Sequence, residues 1–305
     1  MTRRKMLLAG ASALQAQRLA PPEELVNTLE MEAAAQTQLA PRTFAAIAGS
    51  DREAFDRITF RPRLMVNTLG MDLSVTLFGE KHFAPILIGP LAEQRRFHGD
   101  GEQAMRAGAQ AAKATVIWPA RTSVPLEELQ PQWVEADARR PEIPTAAKVV
   151  VVTAPFHWDA VAALCKRSPA PVLCKGVMHP ADARAALQQG AAGIVVSNYR
   201  ASGTDGLASP IEALPAIARE VAGEVPILMD GSIRRGSDIL KALALGARAV
   251  CIGRPALWGL AAYGAAGVRQ VIDQLQTELA RDMAMCGLAR CADASPANIR
   301  IHRRR

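Results

Sequence analysis

Short apolar runs recur along this chain at intervals that suit a barrel, and segments with helical spacing separate most of them. The runs occupy residues 85–88, 115–118, 133–137, 148–153, 171–175, 193–197, 226–230 and 249–253. Most are nearly continuous in Val, Ile, Leu and Ala, the pattern of strands buried on both faces. Between them, residues 101–113, 157–167, 180–189, 210–221 and 237–245 carry helical patterns, and a long closing helix is expected near 268–285. Eight strands alternating with helices predict an α/β fold, a (β/α)8 TIM barrel with a parallel sheet. One crossover breaks the pattern. Residues 138–147 hold Pro141 and Pro144 and are too few and too interrupted for a full crossover helix, so the third helix is expected to be vestigial or missing. Ahead of the barrel, residues 22–50 read as an amphipathic N-terminal helical segment, started by Pro22, Glu23 and Glu24.

A length of 305 residues suits one such barrel, and residues 22–305 are read as a single domain. The net charge of +7 invites a nucleic-acid partner, but Arg3, Arg4, Lys5, Arg303, Arg304 and Arg305 supply most of it. The body between them is close to neutral, which argues against a nucleic-acid-binding face. Residues 1–21 read either as a basic tail or as a twin-arginine-like export signal, with Arg3 and Arg4 ahead of a short apolar stretch. The first reading leaves the protein in the cytoplasm and the second sends it to the periplasm. The stretch 6–14 is too short to span a bilayer, so no stable membrane insertion is expected. The five cysteines follow no metal-ligand spacing. Cys174 and Cys251 sit in apolar runs where thiols pack as small hydrophobes, and only Cys286 and Cys291 are placed for a local bridge.

The chemistry concentrates at the ends of the last two runs. Met229-Asp230-Gly231-Ser232-Ile233-Arg234-Arg235-Gly236 is followed by Cys251-Ile252-Gly253-Arg254-Pro255. Glycines permit close backbone approach and arginines supply charge, so the pair reads as a phosphate grip at a barrel mouth. With Lys241 to Ala247 and Ile252 to Leu260, these residues resemble the FMN-dependent 2-hydroxy-acid oxidase and dehydrogenase family, to which lactate and glycolate oxidases belong. Upstream, Glu53 to Asp56, Arg61 to Arg63, the hairpin Phe78-Gly79-Glu80-Lys81 and the strand end Lys175-Gly176-Val177 continue the likeness, which covers most of the chain.

The resemblance implies FMN as cofactor, a small organic acid as substrate and a possible homotetramer. It assigns Asp230 to the ribityl hydroxyls, Gly231, Ser232 and Arg234 to the ribityl-phosphate end, and Gly253 and Arg254 to the phosphate itself. Ser232 stands where the family has a second glycine. Lys175 would lie against the flavin ring, Thr153 would hydrogen-bond it, and Ser197 closes the sixth strand beside them. The proton-abstracting histidine and carboxylate-clamping arginine of the family fall at Tyr199 and Ser202, and a shortened, divergent site results. Glu135 and Asp137 fall at its flavin-facing glutamine and substrate-facing tyrosine, and Ala46 at a second tyrosine. Tyr199, Lys175 and Arg200 are the candidate catalytic residues, while His98, His157 and His179 read as helix-start or packing residues. Three functions stay open: a flavin oxidoreductase, a flavin-binding relative without turnover, and a barrel that holds a phosphorylated small molecule without flavin.

Overall fold

Alternate residues of the eight apolar runs sort into two layers of core. The computed structural model describes residues 19–49, 52–137, 142–199 and 208–302. Its barrel strands are β1 (Ile86–Ile88), β2 (Thr115–Trp118), β3 (Trp133–Glu135), β4 (Val149–Thr153), β5 (Val172–Val177), β6 (Gly193–Val196), β7 (Ile227–Asp230) and β8 (Ala249–Ile252). They pair in parallel in that order, and β8 returns to β1 to close the barrel. Leu87, Ile117, Trp133, Val151, Leu173 and Leu228 point into one interior cluster, whereas their neighbours Ile88, Val116, Val134, Val150, Val172 and Met229 belong to the shell under the helices. Both faces of each strand are therefore dry, which explains why the runs lack polar alternation.

The helices are α1 (Thr28–Gln38), α2 (Gly101–Ala111), α3 (Trp158–Arg167), α4 (Pro180–Gln188), α5 (Pro210–Val221), α6 (Gly236–Ala244) and α7 (Arg254–Cys286). Two expectations need correction. Pro22–Glu24 makes only a 3₁₀ turn, and the entry helix starts later, where the Asn27 side chain accepts from the amides of Leu29 and Glu30. That side chain caps two amides of the first turn, which decides the start. The closing helix begins not near 268 but at Arg254. Its two legs meet at Gly264, whose φ of 58° and ψ of −135° no helix contains. The legs touch backbone to backbone, for a Cβ built on Gly267 would lie 2.1 Å from the Gly259 carbonyl oxygen. Between β3 and β4 no helix forms among the described residues, in keeping with the two prolines there.

A two-stranded hairpin, Val75–Leu77 with Glu80–His82, stoppers the barrel's interior. Val75 and Leu77 join the interior cluster, and Phe78 meets Trp133 edge to face with ring centroids 5.7 Å apart. His82 is buried beside the same tryptophan, and its Nδ1 lies 3.0 Å from Thr115 Oγ1. Burial holds the imidazole below its ordinary pKa of 6.5. The unfolded chain therefore takes up the proton first as pH falls, and stability declines from about pH 6.5 down through the folded-state value. His82→Gln should flatten that acid limb in thermal melts between about pH 7 and 5.

The five cysteines are free thiols, including Cys286 and Cys291, so the local bridge is absent. Burial pushes the thiols of Cys174, Cys251 and Cys291 up to about 12, as expected of packed rather than reactive cysteines. No described helix is long and apolar enough to cross a membrane. Residues 1–18 and 303–305, which carry the basic ends, lie outside the described residues.

Candidate functional site

Polar side chains that the barrel carries on separate strand ends converge at its C-terminal mouth. Lys175 of β5 is 3% exposed. Its Nζ donates to Ser197 Oγ at 2.7 Å, just beyond β6, and to Asp230 Oδ2 at the end of β7. Thr153 at the end of β4 is in register with Lys175, and its hydroxyl donates to Glu135 of β3. Thr153, Lys175, Ser197 and Asp230 are thus brought together, with Glu135 as their neighbour. Lys175 is not a solvated strand end, and Asp230 pairs with it rather than with Arg234. Burying a lysine requires this kind of paired and hydrogen-bonded setting.

Tyr199 follows on the β6 loop. The residue is 66% exposed, its amide donates to Ser197 Oγ at 3.3 Å, and Lys175 Nζ lies 5.4 Å from the ring centroid. Arg200 and Ser202 lie outside the described residues. Ala46 is exposed beyond a short helix, Pro41–Ala45, and Asp137 is exposed just past β3. The three histidines sit at helix starts. His179 Nδ1 accepts from the Ala181 amide of α4, His157 precedes α3, and His98 Nδ1 accepts from the Asp100 amide ahead of α2.

A second group lies after β7 and β8. Gly231 turns the chain at φ 94°, and Ser232 follows at φ 56°, a left-handed conformation that L residues other than Gly, Asn and Asp rarely take. Ser232→Gly should therefore raise stability by roughly 0.5–1 kcal/mol, read as a higher melting temperature. Beyond the turn, Arg234 is 2% exposed. Its guanidinium donates to the carbonyls of Ile233 at 2.9 Å and Gly49 at 3.1 Å and lies 4.8 Å over the Trp258 ring. Arg254, directly after Gly253, donates to the same Gly49 carbonyl at 2.8 Å and to that of Ala48 at 3.2 Å. The two arginines thus converge on the loop that leads in from the N-terminal helices.

Burial, then the neighbouring Arg254, brings the Arg234 guanidinium down to about 9. Its Nε is a buried donor with no hydrogen-bond partner among the described residues. A buried guanidinium pressed by a second one, with a donor to spare, suits a bound phosphate. The group at the mouth and the arginine pair together fit a flavin mononucleotide: a polar ring-side row on β3 to β7 and an anion grip after β7 and β8.

Several supporting residues escaped sequence reading. Asp238 accepts from the amides of Arg234 and Arg235 and pairs with Arg52 at 2.7 Å. It stands three residues after Arg235, the spacing of a helix-start acid, which could have revealed it. Trp258 Nε1 donates to the Ile47 carbonyl at 2.8 Å, and Thr28 donates to the Arg234 carbonyl. Those partners lie about two hundred residues away, and no local pattern announces them.

The model of the FMN-dependent dehydrogenase family matches residues 45–142 and 129–301. The chain belongs to that family. The cofactor this membership implies is FMN, and the oxidoreductases of the family act on 2-hydroxy acids. Among its relatives, an L-lactate oxidase from Roseobacter sp. (strain GAI101) is 33% identical over 81% of this chain and 84% of its own length. A 4-hydroxymandelate oxidase from Amycolatopsis orientalis is 30% identical, covering 90% of this chain and 98% of that protein. The crystal structure of a mandelate oxidase superposes with a TM-score of 0.86 at 30% identity, over 91% of this chain and 99% of that one.

Proposed function

We propose that this protein holds FMN at its barrel mouth and uses it to oxidise a small 2-hydroxy acid or a related CH–OH substrate. The observation that carries the reading is the buried Lys175, fixed between Ser197 and Asp230 on the strand ends where barrel enzymes place their chemistry. Thr153, Lys175, Ser197 and Asp230 would meet the ring and ribityl parts. Gly231, Ser232, Arg234, Gly253 and Arg254 would hold the phosphate. When bound, FMN supplies the electron acceptor for the oxidation. The chain's own part is to hold a cation at Lys175 Nζ, to keep water from it, and to orient the acid. Tyr199 and Arg200 would contact the substrate, with Tyr199 standing where the resemblance puts a histidine base.

The exposure of Tyr199 favours a second reading, a flavin-binding relative without turnover. A phenolic hydroxyl is a poorer proton acceptor than an imidazole. Membership in an FMN-dependent family favours flavin over a flavin-free phosphate ligand. By the same resemblance we propose that the protein assembles as a homotetramer, which light scattering on the eluted protein would test.

The deciding experiment is an absorbance spectrum of the purified full chain, with FMN added, followed anaerobically during a panel of 2-hydroxy acids. A flavin band near ~450 nm that bleaches supports the oxidoreductase. A band that no 2-hydroxy acid bleaches favours the binding protein, and failure to take up FMN sinks both readings. Free FMN at about a hundred times its Kd should also stabilise the fold by ~2.7 kcal/mol, seen as a rise in melting temperature. Inorganic phosphate should do so more weakly, because it engages only the arginine pair.

A further inference from the structure

We propose that Glu135 sets the redox poise of the protein, holding bound FMN at a lower midpoint potential than free FMN. The inference rests on the FMN reading above and concerns charge at the barrel mouth. Among the described residues, three strand ends contribute formal charge to the row there: Glu135 on β3, Lys175 on β5 and Asp230 on β7. Lys175 is already matched, because its ammonium is in direct contact with the Asp230 carboxylate. One carboxylate, Glu135, is left over.

Thr153 fixes where that charge sits. Its hydroxyl donates to Glu135 Oε1 across the β3–β4 pair, and its backbone is in register with Lys175 on the far side. Glu135 is half-buried rather than swung into solvent. Charges at such a rim interact several-fold more strongly than in bulk water and are less screened by salt. Reduction adds electrons to FMN. A fixed carboxylate beside the site disfavours the more electron-rich form, while the lysine that would favour it spends its charge on Asp230. The protein should therefore bind oxidised FMN more tightly than reduced FMN, and a relative affinity of this kind is a lowered potential. Thr153 is a positioning residue in this account, since it acts through Glu135.

The test is the midpoint potential of the FMN-loaded full chain, measured anaerobically against reference dyes, which reads no turnover. The wild-type value should lie below that of free FMN. Glu135→Gln should raise it by the equivalent of about tenfold in relative affinity for reduced FMN, roughly 30 mV for a two-electron couple. Glu135→Asp keeps the charge and should stay close to wild type, and Thr153→Val keeps it untethered and should move the potential less than Glu135→Gln. A wild-type potential above that of free FMN overturns the proposal without any variant. So does an unchanged potential in a yellow Glu135→Gln protein, or an Asp variant that rises as far as the Gln variant, which would make side-chain shape the cause. A protein that stays colourless with FMN fails the cofactor reading first, and this proposal falls with it.

Discussion

Gly267→Ala should weaken the fold by several kcal/mol. The new Cβ would lie 2.1 Å from the Gly259 carbonyl oxygen and 2.7 Å from its carbonyl carbon, and both obstacles are backbone. Side chains can change rotamer to relieve a clash, but here two legs of one helical segment must part. Those legs pack on α1, α2 and α6, so parting them disturbs much of the shell around the barrel. Overpacking commonly costs about 1–3 kcal/mol, and a backbone-to-backbone clash belongs at or above the top of that range. A domain with only ~5–15 kcal/mol in hand loses a large share of it. Gly99 is the matched control, since a Cβ there meets nothing within 4 Å and its φ is not left-handed. Chemical denaturation should show Gly99→Ala near wild type and Gly267→Ala several kcal/mol weaker. Equal stabilities would mean that the legs do not meet as described.

The second large effect is expected at Lys175. Lys175→Met removes an ammonium that is almost wholly buried and leaves Asp230 facing no cation in a site only 18% exposed. Breaking a buried pair from one side costs ~3–5 kcal/mol, and the partial exposure of Asp230 lowers the expectation to about 2–4 kcal/mol. Removing both charges behaves differently. Lys175→Met with Asp230→Leu should recover most of the lost stability, because two apolar side chains replace a pair whose desolvation nearly offset its attraction. FMN retention should not return with it. Melting curves read the first result and the flavin absorbance of desalted protein reads the second. If FMN retention recovers along with stability, the pair is a structural tie and the role proposed for Lys175 is wrong.

What the sequence disclosed, and what it hid, divides along physical lines. The eight strands were legible because Val149 to Val152 and their counterparts are dry on both faces, so composition alone marks them. That no crossover helix forms between β3 and β4 among the described residues was legible through Pro141 and Pro144. The start of α1 was misjudged because Pro22 and the two glutamates imitate a helix start, while the real decision lies with Asn27. The first leg of α7 was hidden inside the phosphate motif, and its turn at Gly264 requires a left-handed φ that a glycine permits but does not announce. At the site, Lys175, Ser197 and Asp230 could be named in advance because the motifs around them resemble those of the family. That Asp230 belongs to Lys175 could not, since the two are 55 residues apart and only barrel closure brings them together. The loop carbonyls that receive Arg234 and Arg254 were invisible for the same reason, backbone oxygens having no residue type to read.

The hairpin under the barrel has a consequence for traffic. With Val75 and Leu77 seated among the interior side chains and Phe78 against Trp133, the vessel is corked at its base. Whatever the mouth admits must leave by the mouth. Cofactor, substrate and product would then share one doorway, and whichever arrives last stands in the path of the others, so that a slowly departing product would double as a latch on the flavin beneath it.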